Sequence, residues 1–253
     1  MSEIADSYRD VWQREQKLDP ETRRALEKAL GPAPEGKPAA VRIERGGCYQ
    51  PEILQKGGRV WGFMVQLYGV RSERNWGIGD FTDLRSLVEL AAGLGAGVIG
   101  VNPLHAAYVS PYSPSSRHAL NTVYLDIESI PEFGRCREAQ QLTQSRAFLA
   151  RLLQIRKAEL VDYDGVRAAK GEVLALLYAC FRKDRARRKR FAAWYAKAPK
   201  GLRDYALYEA LREELGSGGW QSWPTQYHNP ASSDVRKFAK RKEERVQFYA
   251  YLQ

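Results

Sequence analysis

Two segments concentrate side chains able to hold a ligand. Ser110 to His118 reads SPYSPSSRH, and Arg71 to Asp80 reads RSERNWGIGD. The first gathers hydroxyls around one Tyr, one Arg and one His. Hydroxyls exchange hydrogen bonds with other hydroxyls, and an aromatic ring covers the apolar C–H face of a pyranose, so this composition suits a neutral polyhydroxyl ligand. An ordinary Ser/Pro surface loop has the same composition, and the residues alone leave both readings open. In the second segment GIG is followed by Asp80, which matches neither a P-loop nor a GxGxxG fingerprint. A carboxylate there repels phosphate, so nucleotide binding is excluded. Asp80, with Asp83 three residues on, reads as the cap of the next helix rather than as a catalyst.

The elements that must position these segments are legible in the flanking pattern. RVWGFMVQLYGV is a β-type run, Leu84, Leu87, Val88, Ala91 and Leu94 recur at helical spacing, and GVIGVNPLH is a second buried strand. Gly95 or Gly97 ends the helix between them. Strand, helix and strand in this order predict a right-handed parallel βαβ unit. Both segments then follow strands and lie at the strands' C-terminal ends, where α/β architectures bind ligands. After a loop from Ala106 to Asn121, TVYLDIESI predicts a third extended piece.

Three regions follow. Residues 1–58 form a helical segment, with Asp19 as cap, Pro20 at the first position and Gly31 past the end, and a Pro/Gly-rich linker. Residues 59–133 hold the βαβ unit and the SPYSPSSR loop. Residues 134–253 predict helices near 138–160, 165–183, 185–196, 203–215 and 233–253. Leu207, Tyr208, Leu211 and Leu215 form one apolar stripe there, closed by Gly216. SGGWQSWPTQYHNP is a loop rich in aromatics. The last helix, ending FYAYLQ, meets no stop signal before Gln253, which reads as truncation.

Composition narrows the classes. The chain has 253 residues and a net charge of +10. Nine Lys or Arg residues and one acid, Asp184, lie between Phe181 and Lys200, which reads as a solvated helix face. Nucleic-acid binding is the competing reading, although no helix-turn-helix, zinc-finger or RNP-like motif accompanies the charge. The longest apolar stretch, Leu87 to Val101, is interrupted by Glu89 and four glycines and is too short for a membrane span. The N-terminus MSEIADSYRD has no signal-peptide character, which points to the cytoplasm. Cys48, Cys136 and Cys180 are scattered and read as reduced thiols, not a disulfide or zinc set; His105, His118 and His228 have no metal-ligand spacing.

RVWGFMVQLYGVRSERNWGIGDFTDL, GVNPLHA and SPYSPSSRHALNTVYLD resemble segments of the bacterial 4-α-glucanotransferase (amylomaltase) family, in the same order and spacing. Weaker likeness continues through VDYDGV, DYALYEAL, WQSWP and FYAYLQ, so that it covers nearly the whole chain. The resemblance implies an α/β fold: the N-terminal part of a (β/α) barrel followed by a helical insertion. It implies transfer of an α-1,4-glucan segment to another glucan's 4-hydroxyl by a retaining mechanism, which needs a nucleophilic carboxylate and an acid/base about 5 Å apart and no cofactor. It places Ser110 and Tyr112 in the donor site. Arg71, Trp76, Asn102, His105 and Arg117 are weaker candidates, and Trp76 either lines a sugar site or covers the barrel rim. The family's catalytic carboxylates match no segment here and are expected downstream of Gln253; Asp80, Asp126 and Glu128 match no catalytic position. The expected partners are maltodextrins, with no nucleic acid, membrane or metal. Alternatives are a non-catalytic glucan-binding fragment, one half of a split gene, or a basic nucleic-acid binder.

Overall fold

The computed structural model describes residues 7–9, 14–30, 51–106, 110–216 and 219–253. The chain divides into two compact units, Met1–Pro51 and Glu52–Gln253. In the first unit, β1 (Ser7–Arg9) pairs antiparallel with β2 (Glu15–Lys17). This corrects the expectation of helix throughout residues 1–31. Helix α1 (Pro20–Leu30) begins as expected, because Asp19 Oδ2 accepts from the backbone N–H groups of Glu21 and Thr22. Gly31, Cys48 and most of the linker lie outside the described residues.

In the second unit, β3 (Gly62–Val65) and β4 (Val98–Val101) pair in parallel, Gly62 opposite Val98 and Val65 opposite Val101. Helix α2 (Phe81–Gly93) crosses between them. Its start is a capping box: Asp80 accepts from the N–H groups of Thr82 and Asp83, and Asp83 accepts from the Asp80 N–H. Gly95, at φ 80°, turns the chain towards β4. A parallel pair is normally covered on both faces. Here Met64 is 80 % exposed, Leu94 63 % and Val98 52 %.

Two expectations between Ala106 and Ile130 are corrected. The SPYSPSSR segment is not a free loop: β5 (His105–Ala106) and β6 (Ser116–Leu120) flank it and pair antiparallel. TVYLDIESI is not extended but forms successive 3-10 turns, Thr122–Tyr124 and Ile127–Ser129. Side chains decide this. Asn121 and Asp126 accept from the N–H groups of Val123 and Glu128, and the buried Lys170 ammonium takes the carbonyls of Val123 and Leu125 at 2.5 and 2.7 Å. Backbone groups used this way cannot enter a ladder.

The remainder is helical: α3 (Arg137–Gln144), α4 (Arg146–Lys157), α5 (Tyr163–Lys183), α6 (Arg185–Lys197), α7 (Lys200–Leu215), α8 (Ser233–Arg241) and α9 (Glu243–Tyr251). One core packs Leu67, Trp76, Ile78, Val123 and Ile127 against Phe148, Leu152 and Ile155 of α4 and Val166, Val173 and Leu177 of α5. A second joins α7, α8 and α9 around Leu211, Trp223, Phe238 and Val246. The basic α6 keeps most of its cations in water, with Arg187 paired to the buried Glu132 at 2.7 Å. A further correction concerns the thiols. Cys136 and Cys180 form a disulfide, with Cα atoms 5.9 Å apart. Sequence separation of 44 residues hid a pairing that helix packing creates.

Candidate functional site

The RSERNWGIGD segment is a structural knot at the C-terminal end of β3. Arg74 lies 2.7 Å from Asp80, 2.8 Å from Asp126 and 3.7 Å from Asp83. Asn75 donates to Asp83 at 2.8 Å and to the Val70 carbonyl. Arg156, from α4, donates to the carbonyls of Asn75 and Arg74 at 2.7 and 3.0 Å. Gly77 sits at φ 86°, and a Cβ there would stand 2.5 Å from the Ile155 side chain, so glycine is required twice over. Burial alone would raise the Asp126 carboxyl. Hydrogen bonds from Ser129 and Thr82, with the Arg74 guanidinium, outweigh it and hold the group below the usual carboxylate range.

This arrangement assigns several candidates to structure. Trp76 is buried, donates Nε1–H to Glu128 at 3.3 Å and packs edge-on against Phe148. Asn102 is buried, accepts from the Leu67 N–H at 2.7 Å and donates to Tyr124 Oη at 3.1 Å. Arg71 donates to the Gly77 carbonyl. Asp80, Asp83, Asp126 and Glu128 are therefore all engaged in capping, ion pairing or hydrogen bonding within the scaffold.

The SPYSPSSR tip is different. Ser113 N–H donates to the Ser110 carbonyl, Tyr112 N–H to Ser110 Oγ, and Ser115 closes the hairpin by donating to the Ala106 carbonyl from both its N–H and its hydroxyl. These bonds fix the backbone and leave the Tyr112 ring 65 % exposed. His105 is half-buried on β5, and Arg117 is exposed on β6. The structure thus brings Ser110, Tyr112, His105 and Arg117 onto one hairpin, apart from Arg71, Trp76 and Asn102.

Gln253, which follows α9, and Gly201 of α7 brace this hairpin. The Gln253 side-chain amide brackets Leu120, accepting from its N–H at 2.8 Å and donating to its carbonyl at 3.1 Å. At the start of α7, a Cβ on Gly201 would stand 2.7 Å from the His118 ring. Beside Gly201 lies a cleft of about 370 Å³ lined by Ser115, Ser116, His118, Asp204, Tyr205 and Trp220, among others. A second cavity, of about 630 Å³, lies behind Ser115 and Tyr205, where α5, α7 and α9 meet. Sequence reading missed Gly201, Asp204, Tyr205 and Gln253. The aromatic richness of SGGWQSWPTQYHNP was the signal for Trp220, which stands 46 % exposed.

Hydroxyls, a carboxylate, an imidazole and aromatic rings around an open cleft can hold a polyhydroxyl ligand. The family described as 4-alpha-glucanotransferase matches residues 65–253. A 4-alpha-glucanotransferase of Haemophilus influenzae is 37 % identical over 225 residues, covering 81 % of this chain and 32 % of the relative. The crystal structure of amylomaltase from Corynebacterium glutamicum aligns with a TM-score of 0.58 at 30 % identity, over 76 % of this chain and 26 % of that one. An amylomaltase from Streptococcus agalactiae in complex with acarbose shares the fold, with a TM-score of 0.61 at 18 % identity, over 77 % of this chain and 38 % of that one. The chain therefore spans about a third of the length of the curated relatives it matches. The two parallel strands with their crossover helix are a partial barrel, followed by a helical part.

Proposed function

The chain belongs to the 4-alpha-glucanotransferase family, and from that premise we propose that its SPY hairpin contacts an α-1,4-glucan on the donor side of a retaining glycosyl transfer. The observation that carries this reading is the hairpin tip. The backbone N–H groups of Tyr112, Ser113 and Ser115 are hydrogen-bonded within the hairpin, yet Ser110 and the Tyr112 ring are exposed, on the hairpin whose Ser115 and Ser116 line an aromatic cleft. A rigid, exposed aromatic is suited to stack on a pyranose, since little conformational freedom is lost on binding.

The scission step needs two carboxyl groups about 5 Å apart across the glycosidic bond, one ionised as nucleophile and one protonated as acid. The carboxylates of the Arg74 cluster do not suit either role. They are committed to Arg74 and to helix caps, and Asp126 is held ionised within the scaffold. We assign no catalytic carboxylate to this chain. The apolar surface of Trp61, Met64, Leu94 and Val98 is what a barrel's first βα unit presents to the units that flank it. The chain's role in this reading is to bind and orient donor glucan, while acid/base and nucleophilic groups come from further barrel segments.

The test is titration calorimetry with maltoheptaose on the chain, its Tyr112→Ala variant and its Ser110→Ala variant, at low and high salt. The reading expects binding that is weakened about tenfold by Tyr112→Ala, the equivalent of about 1.4 kcal/mol, and that barely responds to salt. Equal affinity for chain and Tyr112→Ala overturns the site. Binding of nucleic acid that collapses with salt, with no binding of glucan, would favour the basic helices as the functional surface instead.

A further inference from the structure

We propose that the Cys136–Cys180 disulfide is a redox-exchangeable pair in which Cys180 is the sulfur attacked, by small anionic thiols. The two sulfurs are not equivalent. Cys136, at the start of α3, is fully buried, whereas Cys180 on α5 is half-buried and lines a cavity of about 620 Å³ beside residues 131–138. A solute thiol entering that cavity meets Cys180 first. The cavity wall carries five cations, among them Arg137, Lys183 and Arg190, against the carboxylates of Glu132, Glu138 and Asp184. The excess of positive charge concentrates anions and favours the thiolate form of an incoming thiol, which is the reactive one.

The exchange balances as follows. A thiolate RS⁻ attacks Cys180 Sγ, forming a mixed disulfide as the Cys136–Cys180 bond breaks and its electron pair leaves on Cys136 Sγ. Cys136 takes a proton. Its thiol then has the Leu176 carbonyl oxygen 3.5 Å away as acceptor, so the reduced state has a partner in place. A second RS⁻ attacks the mixed disulfide at the small-molecule sulfur, giving RSSR, and the departing Cys180 sulfur takes a proton. In sum, two thiols are oxidised to RSSR and one protein disulfide is reduced to two thiols. The reverse reaction with RSSR restores the bond. The disulfide ties α5 to the start of α3, so the exchange loosens or fastens one side of the main core, in which Cys136 and Leu177 both lie.

The experiment uses the full chain with reduced and oxidised glutathione as the anionic probe and cysteamine as the cationic one. Mass spectrometry of alkylated peptides follows each cysteine. The proposal expects oxidised glutathione to produce the Cys136–Cys180 cross-link. It expects glutathione to reduce that cross-link several-fold faster than cysteamine does, each rate referred to a small-molecule disulfide, with the gap closing at high salt. Cys136→Ser should trap glutathione on Cys180, whereas Cys180→Ser should leave Cys136 slow to react. Lys183→Glu with Arg190→Glu, both exposed, should reverse the thiol preference without disturbing the fold. Two free thiols persisting in oxidised glutathione overturn the proposal, as does a preference for cysteamine at low salt or glutathione trapped on Cys136.

Discussion

Replacing Arg74 with Met tests whether the RSERNWGIGD segment is scaffold. The guanidinium bridges Asp80 and Asp126 at 2.7 and 2.8 Å and reaches Asp83 at 3.7 Å, and the three carboxylate side chains are 3, 8 and 7 % exposed respectively. Removing one partner of a buried pair costs about 3–5 kcal/mol, because the remaining charge is stranded. Arg74 is itself 38 % exposed, so water compensates in part, and about 2–3 kcal/mol is expected. For a chain of this size that lowers Tm by roughly 5–10 °C. The pH dependence separates charge from packing. Asp126 has a depressed pKa, so the stability it contributes is present above the usual carboxylate range and is lost as pH falls through its folded value. Arg74→Met removes the guanidinium's share of that contribution and leaves the share from the Ser129 and Thr82 hydrogen bonds. The gap between chain and variant is therefore widest near neutrality and narrows as pH falls below about 4. Thermal melts followed by circular dichroism, from neutral pH to about pH 3, read both effects. A loss within about 0.5 kcal/mol, or one that is independent of pH, would refute the reasoning.

Lys170, on α5, has a pH slope of the same sign, but its buried charge is a cost where the Asp126 carboxylate is a gain. Burial lowers its pKa to about 8 from 10.5, only partly countered by Asp80, Asp126 and Asp83. The cost of burying its charge is complete below about pH 8 and is relieved as the native state loses its proton first, so the chain gains on Lys170→Met by up to about 3 kcal/mol between pH 8 and 10.5, checked by denaturant unfolding across that range. Gly201→Val pushes a side chain into the His118 ring, and amide exchange should quicken at Ser116–Leu120 while the α4–α5 core keeps its protection. Gln253→Ala removes both bonds to Leu120 and should raise exchange at the Leu120 amide with only about 0.5–1 kcal/mol lost globally.

The βαβ unit was legible because its determinants are local. Asp80 and Asp83 lie three residues apart, and the apolar spacing from Leu84 to Leu94 is helical. The hairpin that carries Ser110 and Tyr112 was not. Its strand β5 has two residues, and β6, SRHAL, lacks an apolar alternation, so neither shows the period-two signal. TVYLDIESI has strand-like composition, but Lys170, some 47 residues after Val123, takes the carbonyls that a sheet would need. The same distance problem hid Gln253, which holds Leu120 across 133 residues, and the pairing of Cys136 with Cys180. Trp76 and Asn102 were weaker candidates because they lie in the segments that resemble the family, and only packing shows them buried.

The central claim is that this chain contributes the donor-glucan contact through Tyr112 and no catalytic carboxylate. Maltotriose disproportionation tests it most directly, run with the chain alone and with a chimera in which residues 65–253 replace the matching part of the Haemophilus influenzae relative. The account predicts no product from the chain alone. From the chimera it predicts glucose and longer maltodextrins, at a rate that falls about tenfold with Tyr112→Ala. Product from the chain alone, or a chimera indifferent to Tyr112→Ala, would contradict it.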